Sequence, residues 1–141
     1  MNIDDFLLNH ELKIGETKDV FISKRFADEN DKLIPFKIRT ISEAEHKAIR
    51  QACTRTMTDK LKGRSKELDR DKYALMMVVE CTVEPNFKNA ELQAKYSCVS
   101  EPEKLLGKIL LPGEFVYLSD EILTFNGFND DINEMAEEIK N

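Results

Sequence analysis

The chain of 141 residues has no tryptophan, two histidines, three cysteines and five isolated glycines, and each scarcity removes a class of chemistry. Cys53, Cys81 and Cys98 are odd in number and contain no CxxC pair, so a disulfide framework or a zinc knuckle is not supported. Neither His10 nor His46 falls in a metal-binding spacing, and His46, in Glu45-His46-Lys47, reads as a solvent-facing helical residue. A cysteine nucleophile needs a histidine within reach and a third group to orient it, and no such arrangement is visible. The glycines nowhere cluster into a phosphate-binding loop. The longest apolar run, residues 73–79, covers about a third of the roughly 20 residues that a membrane span requires. The N-terminus, Met1-Asn2-Ile3-Asp4-Asp5, is acidic and does not read as a signal peptide. Cytoplasm is the expected compartment, and no cofactor or metal is expected.

What is abundant is charge: 34% of residues, with a net charge of −6. The excess is local. From Glu114 to the end there are eight acids and one base, Lys140, while the rest of the chain is nearly balanced. A solvated helix face explains this, and a docking surface for a basic partner is the sharper reading. Arg55, Lys60, Lys62, Arg64, Lys66, Arg70 and Lys72 form the one basic stretch. Asp59, Glu67, Asp69 and Asp71 interrupt it, whereas nucleic-acid binding calls for an uncompensated basic face. Asp28, Glu29 and Asp31, and again Asn129, Asp130 and Asp131, lack the spacing of a calcium loop and read as turn and cap residues.

Periodicity gives the elements. Residues 4–9 suggest a short amphipathic helix. Residues 18–24 and 34–39 read as two strands, the second with Ile34, Phe36 and Ile38 on one face. The turn formers at 27–32 join them as a β-hairpin. Ser42 and Glu45 make a capping box for a helix through about residue 55. Residues 57–67 have few apolar positions and read as a mobile loop. A helix from about Asp69 to Pro85 is apolar on nearly every side and belongs at the centre of the core. Asn89 can cap residues 90–96, and Ser100 with Glu103 forms a second capping box. A helix from Pro112 to about 125 carries Phe115, Leu118, Ile122 and Phe125 as a stripe. Gly127 stops it, with Phe128 folding back against Leu123. Asp130 can cap a last helix, residues 131–138. The expected fold is α+β: an N-terminal hairpin followed by about five helices packed as one mainly helical domain over 1–141, with 1–16 flexible.

Six segments taken in order carry a resemblance. They are Ser23-Lys24-Arg25-Phe26, Ile34-Pro35-Phe36-Lys37-Ile38-Arg39, Val83-Glu84-Pro85-Asn86, Ala90-Glu91-Leu92-Gln93, Leu110-Leu111-Pro112-Gly113-Glu114-Phe115, and Asn126-Gly127-Phe128 followed by Asp131-Ile132-Asn133-Glu134. Together they resemble the PBSX/XkdN-like phage tail assembly chaperones over roughly residues 23–141. Two departures stand out. The family pattern has Asp-Gly where this chain has Asn30-Asp31, and glycine after the tyrosine where this chain has Ser97-Cys98 after Tyr96. The resemblance implies a non-catalytic morphogenesis protein that coats the tape measure protein, keeps it soluble and helps tail tube subunits polymerise around it, and that is absent from the finished virion. The expected client surface is the stripe Phe115, Leu118 and Ile122 beside the acidic Asp131, Glu134 and Glu138. Competing readings are a small structural or head-tail joining component of the virion, a DNA-binding regulator of a mobile element, and an unrecognised enzyme.

Overall fold

The computed structural model describes residues 1–128, 133, 135 and 136. Its elements run α1 (Ile3–Asn9), β1 (Thr17–Val20), β2 (Phe36–Arg39), α2 (Glu43–Ala52), β3 (Thr54–Asp59), β4 (Gly63–Leu68), α3 (Arg70–Cys81), β5 (Thr82–Glu84), α4 (Ala90–Lys95), α5 (Pro102–Ile109) and α6 (Pro112–Phe125). The expected hairpin followed by a mainly helical domain is therefore wrong. Among the described residues the fold is a mixture of six helices and two antiparallel sheets with five strands.

The first sheet has the order β1-β2-β5, with β2 in the centre. β1 and β2 do pair antiparallel, Val20 opposite Phe36 and Thr17 opposite Arg39. They are not joined by a tight turn, because residues 21–35 leave the sheet and form a long excursion braced by a bridge between Ala27 and Leu33. Asp28 organises its tip, where Oδ1 accepts from the amides of Asn30 at 2.9 Å and Lys32 at 3.0 Å. The third strand replaces the expected last turn of the central helix. α3 stops at Cys81 because the β-branched Thr82 takes an extended conformation, and Thr82 then pairs with Ile38.

The second correction is at 57–67, where a loop is expected. Here β3 and β4 form a regular hairpin from Thr54 opposite Leu68 to Asp59 opposite Gly63. Every residue of β3 is exposed, so no apolar alternation marks it. Backbone pairing and the alternating Thr54, Thr56 and Thr58 carry it instead.

α3 lies at the centre of the core, as its composition requires. Met77, Val78, Val79 and Cys81 are buried, and the helix packs against α2, α5 and α6. Phe36 and Ile38 of β2 supply the sheet side of the same core. The helix signals divide. Ser42 Oγ accepts from the Glu45 amide at 3.1 Å, and Asn89 Oδ1 accepts from the amides of Glu91 and Leu92, so both caps form. The Ser100–Glu103 box does not form. Ser100 sits at φ 61°, its N–H donates to Gln93 Oε1 at 3.0 Å, and the helix starts one residue later with Glu101 as an unbonded cap. At the end of α6, Gly127 has φ 86°. Its amide bonds the Thr124 carbonyl and the Phe128 amide bonds the Leu123 carbonyl, each at 3.0 Å, which is the Schellman pattern. The expected final helix lies outside the described residues, except for Asn133, Met135 and Ala136, which are helical and exposed.

Candidate protein-binding surfaces

α6 is the first surface. Its stripe turns inward: Leu118 and Ile122 are fully buried and Phe115 is half-buried against the core. These residues therefore fix the helix in place, and its outward apolar side chains are Val116 and Tyr117, which sequence reasoning passes over. Asp131, Glu134 and Glu138 lie outside the described residues. Asn126 ties the far end of α6 to the sheet, accepting from the Ile41 amide at 2.9 Å and donating to the Arg39 carbonyl at 3.3 Å.

The second surface is a groove that sequence reasoning misses. It lies between the 21–35 excursion and the α4–α5 layer, with a volume of about 440 Å³. Phe26, Ile34, Pro35, Pro85, Leu92, Tyr96 and Ile109 are among the side chains that line it. One ion pair holds its wall. Arg25 Nε donates to Glu114 Oε2 at 2.9 Å, and Arg25 Nη2 donates to Glu114 Oε1 and to the Ile109 carbonyl. Glu114 also accepts from the Leu111 amide at 2.7 Å, in the first turn of α6, where the helix dipole favours a negative charge. The Arg25 guanidinium, with help from the Ser23 hydroxyl and the Leu111 amide, holds the Glu114 carboxyl down at a pKa of about 2. Four of the segments that carry the family resemblance meet at this groove, through Arg25 and Phe26, Ile34 to Phe36, Glu84 and Pro85, and Leu92. The available signal was Pro35, which cannot donate to a strand ladder and so ends the pairing before Ile34.

The reactive side chains are occupied. His46 is buried, against the expectation of a solvent-facing ring. Its Nδ1 lies 2.6 Å from Arg50 Nη1 and its Nε2 2.6 Å from the Tyr73 hydroxyl. A guanidinium only donates, so Nδ1 is the acceptor in this arrangement and Nε2–H donates to Tyr73. The ring is also edge-on to Tyr73 and Phe128, which closes the end of α6 over it. Both nitrogens are thus used, Nδ1 within α2 and Nε2 in packing α2 against α3. All three cysteines are buried, Cys53 bonding Met76 Sδ at 3.4 Å. Burial pushes the Cys81 thiol up to about 11 and raises Cys53, the reverse of what a nucleophile needs.

This fold has relatives. A family model described as the phage XkdN-like tail assembly chaperone protein matches residues 3–140. The chain belongs to that family. The PBSX phage-like element protein XkdN of Bacillus subtilis strain 168 is 30% identical over 137 residues, covering 96% of this chain and 91% of XkdN. YqbN of the same strain, itself uncharacterised, is 33% identical over 128 residues, covering 90% of this chain and 85% of YqbN. The crystal structure of YqbN superposes with a TM-score of 0.71 at 24% identity, covering 92% of this chain and 98% of that one, which supports the fold. Among the described residues, no helix is long and apolar enough to cross a membrane.

Proposed function

We propose that this tail assembly chaperone binds the tape measure protein in the host cytoplasm, without catalysis, keeps it soluble while tail tube subunits assemble around it, and leaves before the virion is complete. Family membership carries the reading. The outward side of α6 supports it, since Val116 and Tyr117 are exposed on a helix whose other side is fixed in the core. Two exposed apolar side chains on a helix anchored in the core, continued in sequence by the acidic segment with Asp131, Glu134 and Glu138, suit an amphipathic helical client with basic flanks.

Co-expression with the tape measure protein tests this. Val116→Asp with Tyr117→Asp, and separately deletion of residues 131–141, should each reduce co-purification while the far-ultraviolet circular dichroism stays folded. Undiminished capture by both folded variants refutes the proposed face. The alternative of a structural virion component is separated by mass spectrometry of purified particles, which should lack this chain.

A further inference from the structure

We infer that the chain associates with itself head to tail, through α1 of one copy seated in the groove between the 21–35 excursion and α4–α5 of the next. Two unpartnered features of complementary chemistry carry this. The first is α1. It is a preformed helix, with Asn2 Oδ1 accepting from the Asp5 amide at 2.8 Å, yet none of its residues is buried. A seven-residue helix is marginal in water without a packing partner. Ile3, Phe6 and Leu7 fall on one stripe at positions i, i+3 and i+4, and Ile3, Leu7 and Leu8 are exposed. Asp4 flanks that stripe, and residues 1–12 contain three acids, Asp4, Asp5 and Glu11, with no lysine or arginine.

The second feature is the groove, whose lining is mainly apolar and aromatic and whose α4–α5 border carries two lysines. Lys95 Nζ lies 5.4 Å from the centre of the Tyr96 ring, and Lys108 Nζ donates to the Tyr96 carbonyl at 2.6 Å. Among the described residues the one carboxylate in the lining, Glu84, is paired with Lys37 at 3.8 Å. An acidic amphipathic helix is what such a groove takes, and the chain carries one at its own N-terminus. Because helix and groove are different surfaces, the contact is heterologous. It repeats from copy to copy and either closes into a ring or runs on. Residues 10–14 tether α1 to the sheet, where the Gly15 amide donates to Thr40 Oγ1, so the helix can project away from its own body.

Sedimentation velocity of the full chain alone, across a wide concentration series, tests this without the client. The wild type should shift to faster species as concentration rises. Leu7→Asp should abolish the shift, and so should Ile34→Asp. Each variant alone should stay monomeric, and an equimolar mixture should recover a heterodimer, because one supplies the groove and the other the helix. Should Ile34→Asp unfold, Lys95→Glu with Lys108→Glu serves instead, and pairing it with Asp4→Lys and Glu11→Lys should restore association. A wild type that stays monomeric throughout overturns the inference, as does association that none of these variants weakens. A monomeric wild type that melts higher than Leu7→Asp places α1 in its own groove and overturns it as well. The client-capture experiment reads a different face, so either can fail while the other stands.

Discussion

Replacing Glu114 with glutamine keeps the shape of the side chain and its bond to the Leu111 amide, and removes only the charge that Arg25 grips. The folded carboxyl is held at about 2 against an ordinary value of 4.5. That depression corresponds to a ceiling of about 3 kcal/mol of stability. Glu114 is 7% exposed but Arg25 is 45% exposed, so solvent screens the pair and about 2 kcal/mol is the reasonable expectation for Glu114→Gln. For a chain of this length that is a fall in Tm of about 6 °C. The sign with pH follows from the direction of the shift. A carboxyl depressed in the folded state contributes its full stability above its unfolded pKa, and loses it as pH falls through the folded one. Urea melts should therefore show a gap between wild type and Glu114→Gln that is constant down to about pH 5, shrinks between 4.5 and about 2, and closes there. Arg25→Gln should cost less in the Glu114→Gln background than in the wild type, because the charge pair is already gone and only the bond to the Ile109 carbonyl is left to lose. A gap below about 0.5 kcal/mol at neutral pH, or one that stays flat through the acid range, refutes the reasoning.

Three further substitutions test other parts of the fold. Ser97 has φ 57° just after α4, so Ser97→Gly should stabilise by about 0.5–1 kcal/mol in a urea melt, the relief of left-handed strain exceeding the added entropy of the unfolded chain. The Thr82 hydroxyl is buried and has no hydrogen-bond partner among the described residues. Thr82→Val should therefore gain about 1 kcal/mol by the same measurement, and a loss would reveal a bonded water at that site. Leu118 is fully buried, and Leu118→Ala should cost about 3 kcal/mol, lowering the urea midpoint without changing the slope.

Local chemistry was legible in the sequence where a single residue decides it. Ser42 and Asn89 each start a helix and Gly127 stops one, as their chemistry requires. Where two acceptors compete for one amide, reading fails: the Ser100 N–H is claimed by Gln93 Oε1, so the next residue takes the cap. The hairpin of β3 and β4 was illegible because hydrophobic alternation records burial, and β3 has none. His46 misled for the opposite reason. Its sequence neighbours are charged, but its partners Tyr73 and Phe128 come from distant positions. The two departures from the family pattern proved informative in geometry. Asp31 at φ 62° and Ser97 at φ 57° occupy left-handed backbone, which favours glycine, so their side chains bear the strain.

The groove shows why an ordered set of short motifs can identify an assembly protein that has no reactive centre. Arg25 from one segment and Leu111 with Glu114 from another, far along the chain, meet in one lock. Phe26, next to Arg25, meets Ile34 and Leu92 from two further segments in the groove beside it. Core packing accounts for Phe36 and Ile38, which are buried, but not for Ile34, which is 50% exposed two residues earlier on the same run. Leaving an isoleucine half in water gives up part of the 1.5–3 kcal/mol that burial of such a side chain contributes, by a rough area estimate. Nothing in the described residues recovers that loss, whereas a partner side chain in the groove would. Ile34→Asp therefore separates the two roles. It should leave the melting temperature nearly unchanged, because the position is already wet, and remove association. A large loss of stability instead would return Ile34 to the core and leave the groove without a binding role.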